Sequence, residues 1–352
     1  MKTAEPNIVD KLQKDKSDLA GRITELHFSR NPGLEKKYGE KGRERCYEDA
    51  VFHLNYLIEA VRFESEELFN HYLEWAWNML EARDIPLDDL VSNLGFIEQV
   101  ISEKYSSSEI ESVLHILETG IEHIKNLEPK AETYILPENP LHEEAGEYLS
   151  LLLEAKRDKA AELIDELVQK NIPVDQIYEN IFQATQYEVG VLWQQNKINI
   201  ANEHYCTAAT QLIMSRLYPL IFSNKKNGLK LVACSVSREL HELGIRMVAD
   251  FFEMDGWDTY YMGSNMPDAH LIQALRENEA NLLAISVTLP IHIGKVKELI
   301  RNIREMDEFS HLKIMAGGYP FGIVPELGKS IGADATAKNA RQAVLKANSM
   351  LY

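Results

Sequence analysis

The chain has 352 residues, of which 45% are hydrophobic and 26% are charged, and it carries a formal net charge of −18. This length allows two or three domains. The acidity argues against sequence-independent binding to nucleic acid or to an anionic membrane, because both repel negative charge. The apolar runs are too short to span a bilayer, so we expect a soluble protein without a membrane partner.

The N-terminus and the cysteines indicate the compartment. Residues 1–13 are polar and of mixed charge, so we expect no secretory signal peptide. The cysteines Cys46, Cys206 and Cys234 are scattered and odd in number, and their spacing fits neither a disulfide framework nor a zinc site. These features predict a cytoplasmic protein.

The first zone, residues 1–128, predicts an all-helical bundle. Glycine and proline are sparse here, and apolar residues recur at helical spacing. Breaks between helices are expected at residues 31–33, at residues 85–86 and at the serines 106–108. Residues 126–141 follow with three prolines and predict a linker.

The second zone, residues 141–224, is helical again, and its apolar spacing fits four helices. The third zone, residues 228–352, alternates between strand and helix patterns. Five strands joined by helical crossovers predict a flavodoxin-like, doubly wound parallel sheet. The strand candidates are residues 229–234, 258–261, 282–287, 313–316 and 333–336.

Unusual residues follow three of these strands. Glu239, His241 and Gly244 come after the first strand. The groups after the third and fourth strands are Ser286, Thr288 and Leu289, and then Gly317 and Gly318. Ligands of such sheets bind outside the carboxyl ends of the strands, so all three groups are expected to face one site. A carboxylate two residues before the histidine would hold one ring nitrogen and leave the other for a ligand.

In this order, the three groups resemble the cobalamin-binding domain family. Its pattern is Asp/Glu-x-His-x-x-Gly, then Ser-x-Leu or Ser-x-Thr, then Gly-Gly. The resemblance covers residues 141 to 352 and implies that His241 is the lower axial cobalt ligand, in place of the cofactor's dimethylbenzimidazole. It implies further that Glu239 orients His241. The displaced tail would run into a slot lined by Ser286, Thr288, Leu289, Gly317 and Gly318, with Gly244 completing the first motif.

The helical second zone is similar to the cap of light-sensing adenosylcobalamin domains. Trp193 is followed ten residues later by Glu203 and His204, which matches the Trp-x9-Glu-His motif of that family. The resemblance implies that Trp193 packs on the adenosyl group, that Glu203 binds its ribose or adenine, and that His204 helps to close the pocket. The family places a histidine after the tryptophan as the upper ligand in the lit state. Here that residue is Gln194, so a water or His204 would take this position.

The N-terminal zone departs from the MerR-type regulators of that family, because it has no basic recognition helix. Its arrangement resembles photocobilins, which hold biliverdin as a second chromophore. The stretch from Cys46 to Pro86 carries histidines and aromatic residues that suit a flat tetrapyrrole. Packing inside the bundle is the alternative explanation for His53, His71, Trp75 and Trp77, and it is the one that the sequence favours.

These observations support one principal functional hypothesis and two alternatives. The first is a photoreceptor that is not an enzyme, in which light cleaves the Co–C bond of adenosylcobalamin, the cap shifts and contacts between subunits change. The second is a corrinoid protein that shuttles methyl groups. The third is an adaptor or the cofactor subunit of a mutase. We also expect a homo-oligomer and a protein partner that receives the signal.

Overall fold

The computed structural model describes residues 7–127, 133–222 and 224–351. The chain divides into two compact units, Met1–Pro129 and Lys130–Tyr352, which we call the N-terminal unit and the cap-and-sheet unit. The predicted linker spans this division, and its residues 128–132 lie outside the described residues. The predicted domains 141–224 and 228–352 fall together in the cap-and-sheet unit. The separation of these two as domains stays a prediction.

Five helices form the described part of the N-terminal unit. The three predicted breaks fall between the first and second, the third and fourth, and the fourth and fifth helices, whereas the break at residues 63–65 was not predicted. Pro32 stands in the first turn of the second helix, a position where its missing N–H costs nothing. Within the described residues, no helix of either unit combines the length and the apolar character needed to cross a bilayer. The helices are α1 (Ile8–Arg30), α2 (Pro32–Arg62), α3 (Glu66–Glu81), α4 (Leu87–Lys104) and α5 (Glu111–Lys125).

Close packing of α5 on α3 shows why apolar spacing decides this bundle. The buried face of α5 carries Val113, Ile116, Leu117, Gly120 and Ile124, which recur at intervals of one helical turn. A Cβ added at Gly120 would lie 2.8 Å from Cδ1 of Leu73 on α3. A larger residue at position 120 would therefore force the side chain of Leu73 to shift.

The cap consists of the helices that precede the sheet. Its third helical run contains a π-helical turn at Tyr178–Gln183, between α8 and α9. The four predicted helices correspond to α6, α7, the run from α8 through α9, and α10. The cap helices are α6 (His142–Leu153), α7 (Arg157–Gln169), α8 (Val174–Ile177), α9 (Ala184–Gln194), α10 (Ile200–Arg216) and the short α11 (Tyr218–Ile221).

A parallel sheet with strand order β2-β1-β3-β4-β5 forms the core of the second half of the cap-and-sheet unit. The predicted flavodoxin-like fold is confirmed, and the strand order reverses between β1 and β3. Every residue of β3 is buried, as expected for a parallel strand covered on both faces. The strands are β1 (Lys230–Ser235), β2 (Asp258–Tyr261), β3 (Leu282–Ser286), β4 (Lys313–Gly317) and β5 (Ala335–Ala337).

Helices cover the sheet, and the cap packs on the first of them, α12. The cap residue Tyr178 donates a hydrogen bond of 2.9 Å from its hydroxyl to Oδ2 of Asp250, and its ring lies 6.1 Å from that of Phe251. Cap and sheet therefore share one apolar core. The helices are α12 (Leu243–Met254), α13 (Asp268–Glu277), α14 (Ile293–Arg304), α15 (Tyr319–Ile323), α16 (Leu327–Ser330) and α17 (Ala340–Leu351).

Candidate functional site

His241 lies in the loop between β1 and α12, and the fully buried Glu239 holds its ring. Oε1 of Glu239 accepts hydrogen bonds from the backbone N–H of His241 at 3.0 Å and from its ring Nδ1 at 2.5 Å. The hydroxyl of Ser235 donates to the carbonyl of His241 at 2.6 Å. Because Nδ1 is occupied and the side chain of His241 is 57% exposed, Nε2 is the nitrogen left for a ligand.

The second oxygen of Glu239 joins this loop to the one that follows β3. Oε2 accepts hydrogen bonds from the backbone N–H groups of Thr288 and Leu289, each at 2.9 Å. One buried carboxylate thus accepts four hydrogen bonds, which satisfies a charge that would otherwise be costly to bury. Thr288 and Leu289 contribute backbone amides here, and their contact with a cofactor tail stays a prediction.

Electrostatics favour an ionised carboxylate beside the imidazole. Burial by itself raises the pKa of Glu239, but the hydrogen bonds from His241 and from the Leu289 amide outweigh it and lower the pKa to about 2. The hydrogen bond to Glu239 raises the pKa of His241, and burial partly opposes it. Glu239 therefore carries the negative charge that orients His241 and strengthens it as an electron donor.

The strand ends align the other predicted site residues. Ser235 pairs with Ser286, and Ser286 pairs with Gly317, so β1, β3 and β4 end at one level. Gly318 has a φ of 106°, and a Cβ there would lie 1.9 Å from the carbonyl oxygen of Val287. Only glycine fits at residue 318. A Cβ at Gly317 would meet nothing closer than 3.6 Å, so its backbone does not require glycine.

These residues fit the lower side of a corrin. His241 would hold the cobalt of such a cofactor through Nε2, because its Nδ1 is already engaged by Glu239. Among the described residues, no three His, Cys, Asp or Glu side chains cluster to hold a metal ion by themselves. The fit depends on His241, whose Nδ1 is fixed by Glu239, and on the open edge where β1, β3 and β4 end.

Comparisons with known proteins agree with this geometry. Residues 229–345 match a family model described as a B12 binding domain, and residues 145–218 match a second model with the same description. The chain is a cobalamin-binding protein. It is 26% identical to dimethylamine corrinoid protein 3 of Methanosarcina acetivorans over 218 residues, which are 61% of this chain and 98% of that protein.

Two further similarities involve the same part of the chain. A corrinoid protein of Desulfitobacterium hafniense is 24% identical over 57% of this chain and 94% of its own length. The structure of the monomethylamine corrinoid protein of Methanosarcina barkeri superimposes with a TM-score of 0.53 and 21% identity. It covers 60% of this chain and 100% of its own. At that identity the structural similarity concerns the fold of the cobalamin-binding region.

The predicted upper-face residues flank the turn between α9 and α10. Trp193 and Gln194 are half-buried in the last turn of α9, and Glu203 and His204 lie near the start of α10. An Asn199 capping box starts α10 and so places Glu203 in its first turn. Oε2 of Glu203 is hydrogen-bonded to Nδ1 of the exposed His204.

Two interactions connect the cap with the loop that carries His241. The negative charge of Glu203 on the cap contributes to raising the pKa of His241, so the two side chains are close enough to interact. Nε2 of Gln211 on α10 also donates to Oε1 of Glu242, the residue after the histidine, at 2.9 Å. The contacts of Trp193, Glu203 and His204 with a cobalamin stay predictions.

Three features of the loops around the site differ from what the sequence predicted. His292 is buried beside the site, and burial lowers its pKa while the charge of Glu239 raises it. Leu240 is 73% exposed next to His241. Gly244 is exposed in the first turn of α12, and a Cβ there would meet no protein atom within 4 Å. A histidine six residues after Ser286 was the signal available for His292.

Two of the four histidines and tryptophans suggested for a chromophore site, His53 and Trp77, are buried in the N-terminal unit. His53 is buried, and its Nδ1 is 2.7 Å from the hydroxyl of Tyr72, which stacks on Tyr56 at 3.7 Å. Trp77 is buried as well, whereas Trp75 is 40% exposed. These contacts agree with the alternative of packing inside the bundle. Biliverdin binding stays a prediction.

Proposed function

We propose that this chain is a corrinoid carrier in methyl transfer, which is the second of the hypotheses that the sequence raised. The observation that carries this proposal is the alignment with a dimethylamine corrinoid protein over 98% of that protein's length. The matched family models lie within the cap-and-sheet unit. We infer that this unit does what the relative does, and that a separate methyltransferase carries out catalysis.

Each residue has a definite part in this proposal. A bound corrinoid supplies a cobalt centre that takes up and gives away a methyl group. His241 binds the lower side through Nε2, while Glu239 keeps the proton on Nδ1. Gly318 allows the backbone after β4 to approach Val287 after β3, next to the place where the tail would lie. The cap would close over the cofactor from the opposite side and limit the access of bulk water to it.

Loading and transfer test the proposal directly. The full chain is incubated with hydroxocobalamin, methylcobalamin or adenosylcobalamin, and the absorption spectrum of each complex is recorded. We expect tight binding of methylcobalamin with the spectrum of histidine-ligated cobalamin. The reduced, loaded protein should then take a methyl group from a small methyl donor and give it to a thiol. His241→Ala is the matched control and should lose the histidine-ligated spectrum.

A light sensor that holds adenosylcobalamin is the second candidate, and one observation favours it. Trp193 and Glu203 flank the same turn of the cap, which suits a bulky adenosyl group better than a methyl group. Strong preference for adenosylcobalamin, together with a change in oligomeric state under green light, would replace the methyl carrier by this candidate. Trp193→Ala should then admit methylcobalamin nearly as well as adenosylcobalamin.

The proposal also covers the compartment, the oligomeric state and the N-terminal unit. We propose a cytoplasmic protein that forms homo-oligomers, with the N-terminal unit as the contact for a protein partner. Light scattering on the loaded and unloaded chain measures the oligomeric state. The same spectra recorded with biliverdin test the second chromophore, because a bound bilin adds a red-absorbing band.

A further inference from the structure

A chain of hydrogen bonds crosses the cap and ends at Glu203. It begins at the buried hydroxyl of Tyr148 on α6, which lies 3.1 Å from Oγ1 of Thr210 on α10. Nε2 of Gln186 on α9 donates to the same Thr210 oxygen at 3.0 Å. Oε1 of Gln186 is 3.0 Å from Oγ1 of Thr207, which in turn is 3.3 Å from Oε1 of Glu203. Three cap helices therefore meet in one polar network.

In the middle of this network, the hydroxyl of Thr207 can donate to either of two acceptors. The amide of Gln186 is oriented by Thr210 and by the carbonyl of Cys206, to which its nitrogen donates at 3.5 Å. Its oxygen consequently faces Thr207. The hydroxyl of Thr207 has one hydrogen and two acceptors in reach, Gln186 and Glu203. It can serve only one of them fully at a time, and the shorter distance favours Gln186.

The acceptor to which Thr207 donates determines how well the Glu203 carboxylate can accept a hydrogen bond from a ligand on the upper side of the site. Oε2 of Glu203 is already bonded to His204, so Oε1 is the atom that the network controls. When Thr207 donates to Gln186, Oε1 can accept a hydrogen bond from a ligand. When Thr207 donates to Glu203, it engages one of the two lone pairs of Oε1 and weakens that oxygen as an acceptor for a ligand. Gln211, two turns further along α10, donates to Oε1 of Glu242 at 2.9 Å, so the helix that carries Glu203 and Thr207 adjoins the loop of the proposed lower ligand.

We propose that Gln186 and Thr207 are positioning residues that make the cap distinguish upper ligands with hydrogen-bond donors, such as water, from a methyl group. The inference rests on the proposed cobalamin site. By taking the hydrogen of Thr207, Gln186 leaves Glu203 free to bind a donor above the corrin. A methyl group has no such donor. The protein would thus distinguish the oxidised, water-capped cofactor from the methylated one through a single hydroxyl hydrogen.

The test compares the dissociation constants of hydroxocobalamin and methylcobalamin for each variant of the full chain. The ratio of the two constants cancels any loss that is common to both, such as a weakened fold. Gln186→Met keeps the shape but removes the acceptor, so Thr207 must turn to Glu203. We expect the preference for hydroxocobalamin to fall roughly 10-fold, as for a lost hydrogen bond to a charged group.

The double variant Gln186→Met/Thr207→Val is the decisive one. With no hydroxyl left to engage Glu203, the preference should return to within about 2-fold of that of Thr207→Val alone. An equal effect of Gln186→Met in both backgrounds would mean that the glutamine acts through packing, and would overturn the inference. Ser215→Ala on the same helix removes a different bond from cap to sheet, Arg246 Nη2 to Ser215 Oγ at 2.8 Å, and should leave the ratio unchanged.

Thr207 alone provides a second route if Gln186→Met does not fold. Thr207→Val removes the competing hydrogen, so the preference for hydroxocobalamin should stay or rise relative to Thr207→Ser. A fall of that preference would contradict the inference. If the wild-type chain bound neither cobalamin, the proposed function would fail and the inference with it. Normal binding with an unchanged ratio in every variant would overturn the inference alone.

Discussion

His53 in the N-terminal unit and His241 in the cap-and-sheet unit are both hydrogen-bonded through Nδ1, but their pKa values shift in opposite directions. Nδ1 of His53 meets the hydroxyl of Tyr72 inside the bundle, where the side chain is buried. Nδ1 of His241 meets a buried carboxylate, and the side chain is more than half exposed. Burial lowers the pKa of His53 to about 4, whereas the bond to Glu239 raises the pKa of His241.

The partner of Nδ1 and the exposure of the ring distinguish a histidine that can bind a ligand from one that only packs. A neutral hydroxyl partner at Nδ1 and a buried ring keep His53 inside the bundle, away from a ligand in solvent. A charged partner fixes the tautomer, increases the donor strength of the other nitrogen and leaves that nitrogen accessible. The partner and the exposure of the second nitrogen therefore carry more information than the presence of histidine and aromatic residues in a stretch of sequence.

The largest expected effect comes from removing the exposed imidazole. His241→Ala should weaken cobalamin binding on the order of 1000-fold, beyond the 10–100-fold typical for the partner of a metal ligand. The spectrum of histidine-ligated cobalamin should disappear. His53→Gln is the matched control and should leave affinity and spectrum as in the wild type. Equal effects of the two variants, measured by spectral titration, would remove the distinction between these histidines.

Acid should destabilise the N-terminal unit through His53. The unfolded chain takes up its proton near pH 6.5 and the folded chain only near 4, so stability is lost as the pH falls between these values. The loss amounts to about 3 kcal/mol. His53→Gln cannot titrate, and its unfolding free energy should depend less on pH. Denaturant unfolding at pH 7 and 4.5, monitored by hydrogen exchange of α2 and α3, measures this difference.

The cap-and-sheet unit should show the opposite dependence through Asp250. Burial raises the pKa of this carboxyl to about 6 from 3.8, although its bond to Tyr178 counteracts the rise. The unfolded chain ionises first as the pH rises, so the contribution of Asp250 to stability is lost between these values. Asp250→Asn should gain about 2 kcal/mol relative to wild type between pH 4 and 7. A gap that is constant with pH would show that Asp250 is not buried as a neutral acid.

The smallest expected effect concerns the partner of the ligand. Glu239→Gln removes the charge but keeps one acceptor, and an amide N–H must now face either His241 or the amides of Thr288 and Leu289. Cobalamin affinity should fall roughly 10-fold, with a weaker histidine-ligated band. Glu242→Gln is the control, because a glutamine there can still accept from Gln211. An effect of Glu242→Gln as large as that of Glu239→Gln would assign the loss to charge near the loop rather than to orientation.

Much of the fold can be predicted from the sequence because the residue patterns that indicate helices and strands are local. The apolar spacing of α5 and the continuous apolar run of β3 follow from the periods of helix and buried strand. The predicted sheet edge followed from parallel connectivity, and the pairing of Ser235, Ser286 and Gly317 confirms it. The order of the three motifs was enough to indicate a cobalamin site. The preference for a light sensor over a methyl carrier came mainly from the short Trp193–Glu203–His204 pattern, and the relatives support the carrier instead.

The sequence alone predicts which segments are helices or strands, that the sheet is parallel, and that His241 follows a strand at its carboxyl edge. These features depend on residue periods and chain order. Only the tertiary structure decided how one carboxylate serves two loops: Glu239 accepts from His241 and from the amides after β3, 49 and 50 residues away. It also decided that Gln186 and Thr207 share the network of Glu203 and that His292 is buried beside the site. Hydrogen bonds and burial between distant segments depend on atomic distances, and no local pattern of residues encodes those.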